Sequence, residues 1–136
     1  MRAGSVAAGG YDPGPMPYLL RVRETFEAAH HLTSYKGSPE PVHGHTWTVE
    51  ALLEARELDG EGIGFDFVEV RRALRELTRR FDHRDVNTVP PFDRESPTTE
   101  RLAAWFYREL ARALPVAALG EVTVWEGPAC SATYRP

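Results

Sequence analysis

Apolar and polar residues alternate with a period of two in two early stretches of the chain. Leu20, Val22, Phe26, Ala28 and His30 share one parity, while Arg21, Arg23, Thr25 and Glu27 hold the other, with Glu24 the one charge on the apolar side. The second stretch places His43, His45, Trp47, Val49, Ala51 and Leu53 opposite Thr46, Thr48, Glu50 and Glu54. Successive side chains of a strand point to opposite faces, so both stretches predict strands with one buried face. A turn cluster, Asp59-Gly60-Glu61-Gly62, follows. The period then lengthens. Phe67, Val70, Leu74, Leu77 and Phe81 recur at helical spacing, with Arg71, Arg72, Arg75 and Arg79 on the wet side. Asp66 and Glu69 make a capping-box-like start. After a polar, proline-bearing connection, 87–96, Pro97 suits the first turn of a second helix, whose stripe is Leu102, Trp105, Phe106, Leu110 and Leu114. Pro115 and Gly120 end that helix. Val122, Val124 and Glu126 alternate with Thr123 and Trp125 in a third strand, Gly127-Pro128 turns the chain, and residues 129–134 make a fourth strand.

Two strands, two helices and two strands, ββααββ, predict an α+β domain with a four-stranded antiparallel sheet covered on one face. Its exposed edges need a partner, and joining the sheets of several subunits into a barrel supplies one. Residues 1–17, rich in Gly, Ala and Pro, hold no apolar run long enough for a signal peptide or a membrane span, and read as a disordered leader. Met16 is a second candidate start. Residues 18–136 form one domain, uninterrupted by repeats or linkers.

Composition narrows the function classes. Hydrophobic residues make up 42% and charged residues 26% of 136, as in an ordinary globular protein. A net charge of -4 without a basic stripe argues against nucleic acid as a partner. A single cysteine, Cys130, excludes an intrachain disulfide and fits the reducing cytoplasm.

The candidate chemistry lies in three histidines. In a strand, His43 and His45 point to the same face with Cα atoms roughly 6.6 Å apart, close enough for both imidazoles to reach one zinc ion. In a helix they would diverge by about 200°. His30 closes the preceding strand on its apolar face. A lone histidine there is usually a core residue whose nitrogens find partners, but three at two strand ends point to a metal. Three neutral nitrogens leave a fourth position for water or substrate, the pattern of a catalytic zinc.

Five motifs in order carry a family resemblance: Phe26-Glu27-Ala28-Ala29-His30, His43-Gly44-His45, Phe81-Asp82-His83 with Asn87, Pro97-Thr98-Thr99-Glu100, and Val124-Trp125-Glu126. Together, over Tyr18 to Arg135, they resemble the 6-pyruvoyltetrahydropterin synthase and 6-carboxytetrahydropterin synthase family. The resemblance implies the tunnelling fold, a homohexamer built as a dimer of trimers, zinc, and dihydroneopterin triphosphate as substrate. It implies His30, His43 and His45 as ligands, Asp82 and His83 as a proton-relay pair, Glu126 as the pterin anchor, and Thr98, Thr99 and Glu100 beside the substrate. Physics is compatible with each role and leaves bland alternatives open. A carboxylate accepts two parallel N–H bonds from an aminopyrimidine edge, yet Glu126 could serve in a structural ion pair. Asp82 could orient His83, yet adjacent polar residues often cap a helix end. Lys36, His31 and Arg84 are candidates for the phosphates.

One departure matters. Members that make 6-pyruvoyl or 6-carboxy products carry a catalytic cysteine four residues before the first histidine of His-Gly-His. Pro39 stands there, followed by Glu40. The segment from Glu40 to His45 resembles the type III branch, in which glutamate replaces the cysteine and the product is 6-hydroxymethyl-7,8-dihydropterin, a folate precursor. A carboxylate of pKa about 4.3, against about 8.5 for a thiol, is a weak base suited to a zinc-acidified hydroxyl. With Glu40 taking that proton, retro-aldol cleavage between C1′ and C2′ follows. Glu40 could equally be a solvated loop charge. The alternatives are a 6-carboxytetrahydropterin synthase of queuosine synthesis and a 6-pyruvoyltetrahydropterin synthase. More distant are a cupin, suggested by the Gly37, His43, His45 and Glu50 spacing but requiring an all-β jelly roll, and a non-enzymatic zinc-stabilised module with a closed four-ligand site.

Overall fold

A computed structural model describes residues 14–114 and 118–136. Strands β1 (Tyr18–His30) and β2 (His43–Ala55) are joined by a loop, and α1 (Phe67–Thr78) follows. Then come β3 (Arg84–Asp85), a 3₁₀ turn (Val86–Thr88), α2 (Thr99–Ala113), β4 (Leu119–Glu126) and β5 (Cys130–Tyr134). The sheet order is β3-β1-β2-β4-β5. The expected α+β architecture is present, and two helices where a jelly roll needs strands exclude the cupin alternative.

Among the described residues the sheet has five strands instead of four. Arg84 and Asp85 add a two-residue parallel strand beside Ala28 and Ala29. A pair this short carries no periodicity that a sequence could display. The antiparallel pairs follow the alternation: β1 runs against β2 with Phe26 opposite Trp47, and β2 against β4 with Val49 opposite Val124. α1 packs over β1, and α2 over β4 and β5. The inward parity therefore meets the helix stripes in one core. At its centre the Phe26 ring lies 6.0 Å from Trp47, 5.7 Å from Phe81 and 5.9 Å from Phe106. Burying one such ring stabilises the fold by about 1.5–3 kcal/mol.

Several local expectations shift. Phe67 is half-exposed and leaves the α1 stripe, while Phe81, beyond the helix end, is fully buried. Asp66 does cap α1, its carboxylate accepting the Val68 N–H at 2.9 Å, but Glu69 pairs with Arg72 instead of closing the box. Arg71 and Arg75 are not simply wetted. They reach Glu24 at 3.3 and 3.2 Å and so neutralise the one charge on the inward parity of β1. α2 begins two residues later than Pro97 suggests, because the Thr98 hydroxyl is its N-cap. Its C-cap is Leu114. Pro115 lies outside the described residues, as does most of the supposed leader. Gly120 does not end the helix. It sits in β4 against Glu54, where a Cβ would meet the carboxylate at 3.0 Å.

Candidate metal centre and active site

The β1–β2 register sets His30 opposite His43 and Ala28 opposite His45. Directly opposed strand residues on one face have Cβ atoms about 4.5–5.5 Å apart, so all three imidazoles crowd the end of one sheet face. Their tautomers follow from their neighbours. His30 Nδ1 lies 3.0 Å from the Pro97 carbonyl, and His43 Nδ1 lies 2.9 Å from the Pro41 carbonyl. A carbonyl can only accept, so each Nδ1 carries the proton and each Nε2 presents a lone pair. Those two Nε2 atoms face each other at 3.1 Å. Two lone pairs at that distance repel unless a cation lies between them. Ligand atoms around a tetrahedral zinc with bonds near 2.05 Å are separated by about 3.3 Å, which this pair nearly matches.

His45 adds a third orphan. Its Nε2 is buried and makes no aligned hydrogen bond, although Glu126 Oε1 is 3.1 Å away. That nitrogen and the carboxylate oxygen converge on the same point as the other two imidazoles. His30, His43, His45 and Glu126 each offer a ligand atom, all within 4.8 Å of one another. Burial pushes His30 below its ordinary pKa, and the neighbouring His43 and His45 add to this. The Pro97 carbonyl and the Glu126 carboxylate oppose the shift. The balance keeps the ring neutral at pH 7, as a metal ligand must be. This donor set fits zinc. Glu126, which the family resemblance marks as the pterin anchor, stands at the fourth place around the three imidazoles.

Glu126 ends β4 opposite Trp47, and Thr99, the first residue of α2, donates its hydroxyl to Glu126 Oε2 at 2.8 Å. One carboxylate oxygen is thereby fixed and the other turned to the histidines. Glu40 also reaches the cluster. Its Oε1 accepts the Leu32 N–H at 2.9 Å and lies 3.8 Å from His43 Nε2. The Glu40 N–H also donates to the Leu32 carbonyl at 3.1 Å, so the residue is fixed to the loop at two points.

Asp82 and His83 lie in the turn that follows α1. The Asp82 carboxylate accepts the Glu27 N–H at 2.9 Å and contacts His83 Nδ1 at 3.1 Å. Its side chain ties the turn to β1, while its own N–H donates to the Thr78 carbonyl at the end of α1 at 3.0 Å. The Glu27 N–H, joined by the His83 ring, holds Asp82 below the usual carboxylate range against the opposing effect of burial. His83 adopts φ 58°, a conformation costly for a non-glycine residue, and its N–H donates to the Glu27 carbonyl at 2.6 Å. His83 borders an open cavity of about 570 Å³ together with Glu27, Gly44, Thr46, Arg84 and His45 of the cluster. Among the described residues, no hydrogen bond or ion pair joins Asp82 or His83 to the three histidines, Glu40 or Glu126.

A family model, 6-pyruvoyl tetrahydropterin synthase, matches residues 19–136. This chain belongs to that family. It is 30% identical over 106 residues to the dihydroneopterin monophosphate aldolase of Pyrococcus furiosus, covering 77% of this chain and 86% of the relative. It is 31% identical over 122 residues to the 6-carboxy-5,6,7,8-tetrahydropterin synthase of Synechocystis, covering 86% and 92%. The solved Caenorhabditis elegans 6-pyruvoyl tetrahydropterin synthase superposes with a TM-score of 0.77 at 23% identity, over 89% of this chain and 97% of that one. A Plasmodium vivax 6-pyruvoyltetrahydropterin synthase, altered at a catalytic glutamate, superposes with a TM-score of 0.72 at 21% identity, over 88% and 97%. These solved structures share the tunnelling fold.

Membership in this family of pterin lyases makes the chain an enzyme. The remaining residues singled out by sequence divide. Thr98 spends its hydroxyl on capping α2, accepting the Arg101 N–H at 3.2 Å, and Glu100 is exposed on the first turn; among the described residues, neither is bonded to the cluster. The Lys36 ammonium sits over the Tyr35 ring at 5.3 Å, and Arg84 lines the cavity beside His83. His31 Nδ1 is buried without a hydrogen-bond partner. Sequence reasoning missed the Pro41 and Pro97 carbonyls that orient two ligands. Every residue carries a carbonyl, so no residue type could have marked them.

Proposed function

We propose that this chain is a zinc-dependent carbon–carbon lyase acting on 7,8-dihydroneopterin triphosphate or a closely related dihydropterin phosphate, yielding 6-hydroxymethyl-7,8-dihydropterin for folate synthesis. The observation that carries this reading is the Glu40 carboxylate 3.8 Å from His43 Nε2, with Pro39 at the cysteine position of the family. The Pyrococcus furiosus relative, an aldolase by name, supports the same bond cleavage and brings the monophosphate into the substrate class. His30, His43 and His45 would hold the metal, which when bound would supply the charge that acidifies a hydroxyl of the substrate side chain. Glu40 then removes the 2′-hydroxyl proton. The oxygen's electron pair forms a carbonyl at C2′ as the C1′–C2′ bond breaks. Those bonding electrons flow from C1′ into the dihydropterin ring, and a proton returned to C1′ by Asp82–His83 completes a redox-neutral cleavage. The second product is a phosphorylated two-carbon aldehyde. Glu126, held by Thr99, accepts two N–H bonds from the pterin edge; Thr98 and Glu100 flank that end of the site.

A homohexamer, a dimer of trimers, goes with this reading. Among the described residues Asp82 and His83 make no bond to the histidines of their own protomer, though His83 and His45 border one cavity, and in a hexamer the returned proton comes from a neighbouring copy. The sheet edges and an apolar groove of about 690 Å³, lined by Leu19, Ile63, Phe67 and Val68 among others, offer surface for such contacts. No described helix is long and apolar enough to cross a membrane, and a cytoplasmic location accords with the pterin substrate. A second reading, 6-carboxy-5,6,7,8-tetrahydropterin synthase, is favoured by the name of the Synechocystis relative. Incubation with dihydroneopterin monophosphate and triphosphate separately, followed by identification of the pterin formed, tests the two. The 6-hydroxymethyl product supports the first reading and the 6-carboxy product the second.

A further inference from the structure

We infer that Asn87 is a positioning residue that ties the metal ligand His30 to the carboxylate of Glu40 through the backbone of His31. The inference rests on the lyase reading for Glu40. β3 pairs with β1 only as far as Ala29 opposite Asp85. Where that pairing stops, the Asn87 side chain takes over the part of a strand. Its Oδ1 accepts the His31 N–H at 3.0 Å, and its Nδ2 donates to the His31 carbonyl at 3.0 Å. Only a carboxamide carries a donor and an acceptor in this arrangement.

The two peptide groups it grips lead in opposite directions. The clamped N–H belongs to the His30–His31 peptide, attached to the Cα of a metal ligand. The clamped carbonyl belongs to the His31–Leu32 peptide, whose own N–H donates to Glu40 Oε1 at 2.9 Å. Donation to that carbonyl also polarises the amide and strengthens its N–H as a donor. Asn87 is itself held firmly. Its N–H donates to Asp85 Oδ1 at 2.9 Å, the Thr88 hydroxyl donates to the Asp85 carbonyl at 2.7 Å, and Val86 beside it is fully buried. An Asn87 displacement would therefore move ligand and base relative to one another.

The test compares wild type with Asn87→Ala and Asn87→Asp, and sets each against Glu40→Gln. Zinc affinity, read by competition with a chromophoric chelator, should fall about 10–100-fold in Asn87→Ala, the usual effect of losing a group that orients a ligand. With the substrate that wild type cleaves, kcat should fall by about 10²-fold at zinc saturation with KM little changed. In the Glu40→Gln background the same substitution should cost under about threefold in kcat, since the base it positions is gone. Asn87→Asp keeps the acceptor and should lie between, which also decides the matter if Asn87→Ala does not fold. Unchanged zinc affinity, or a full multiplicative loss in the Glu40→Gln background, would overturn the role and leave Asn87 a fold residue. If wild type cleaves neither dihydroneopterin phosphate, the lyase reading has failed, and zinc affinity alone then decides whether Asn87 positions His30.

Discussion

Glu126→Gln separates two uses of one carboxylate. The carboxylate is part-buried, at 29% side-chain exposure, with Oε2 on the Thr99 hydroxyl and Oε1 3.1 Å from His45 Nε2. Glutamine preserves the shape, and its carbonyl oxygen can still accept from Thr99. What goes is the charge and one acceptor, replaced by an NH₂ that would face the N–H groups of the pterin edge. Losing one charge-assisted hydrogen bond costs about 1.5–3 kcal/mol, or roughly tenfold to 150-fold in pterin affinity. The part-exposed position argues for the lower half of that range. Zinc behaves differently if the three imidazoles carry it: removing a neighbouring carboxylate should leave about one zinc per chain. Titration of a fluorescent pterin into the zinc-loaded variant measures the first quantity, and metal analysis of the purified variant measures the second. Unchanged pterin affinity would refute the anchoring role, and complete loss of zinc would make Glu126 the fourth ligand.

His43→Ala should reduce zinc content sharply, because His43 Nε2 faces His30 Nε2 at 3.1 Å; full retention in metal analysis would remove the three-histidine site. The metal-free protein should also show a pH-dependent melting temperature. The folded pKa of His30 is depressed, so its contribution is fully present above the unfolded value of about 6.5 and lost as pH falls through the folded one. A melting temperature flat from pH 7 to 5, with His30→Gln as control, would contradict this. Sedimentation at micromolar concentration should find a homohexamer, and a stable monomer would deny Asp82 and His83 access to a neighbour's metal.

The alternation of β1 and β2 was readable because a period of two assigns each side chain to a face. With His30, His43 and His45 on the inward parity, the metal cluster followed once the strands paired. Glu126 could be assigned to the inward face in the same way, but its approach to His45 depended on the β2–β4 register, which one strand alone does not encode. Glu24 looked misplaced because its partners, Arg71 and Arg75, lie 47 and 51 residues away on a helix. β3 is two residues long and has no pattern to read. α2 starts later than its proline suggests because Pro97 suits a first helical position while the adjacent Thr98 offers the stronger cap. That no bond joins Asp82 or His83 to the histidines is illegible for a different reason: residue types do not say where along a sheet a connecting turn will dock.

The most direct measurement is product identification by wild type and Glu40→Gln, both zinc-loaded, on dihydroneopterin monophosphate and triphosphate. Wild type should release 6-hydroxymethyl-7,8-dihydropterin with little 6-pyruvoyl or 6-carboxy product. Glu40→Gln should bind zinc and pterin yet form that product about 10²–10⁴-fold more slowly. Mainly 6-carboxytetrahydropterin from the wild type, or normal turnover by Glu40→Gln, would contradict a glutamate-based lyase.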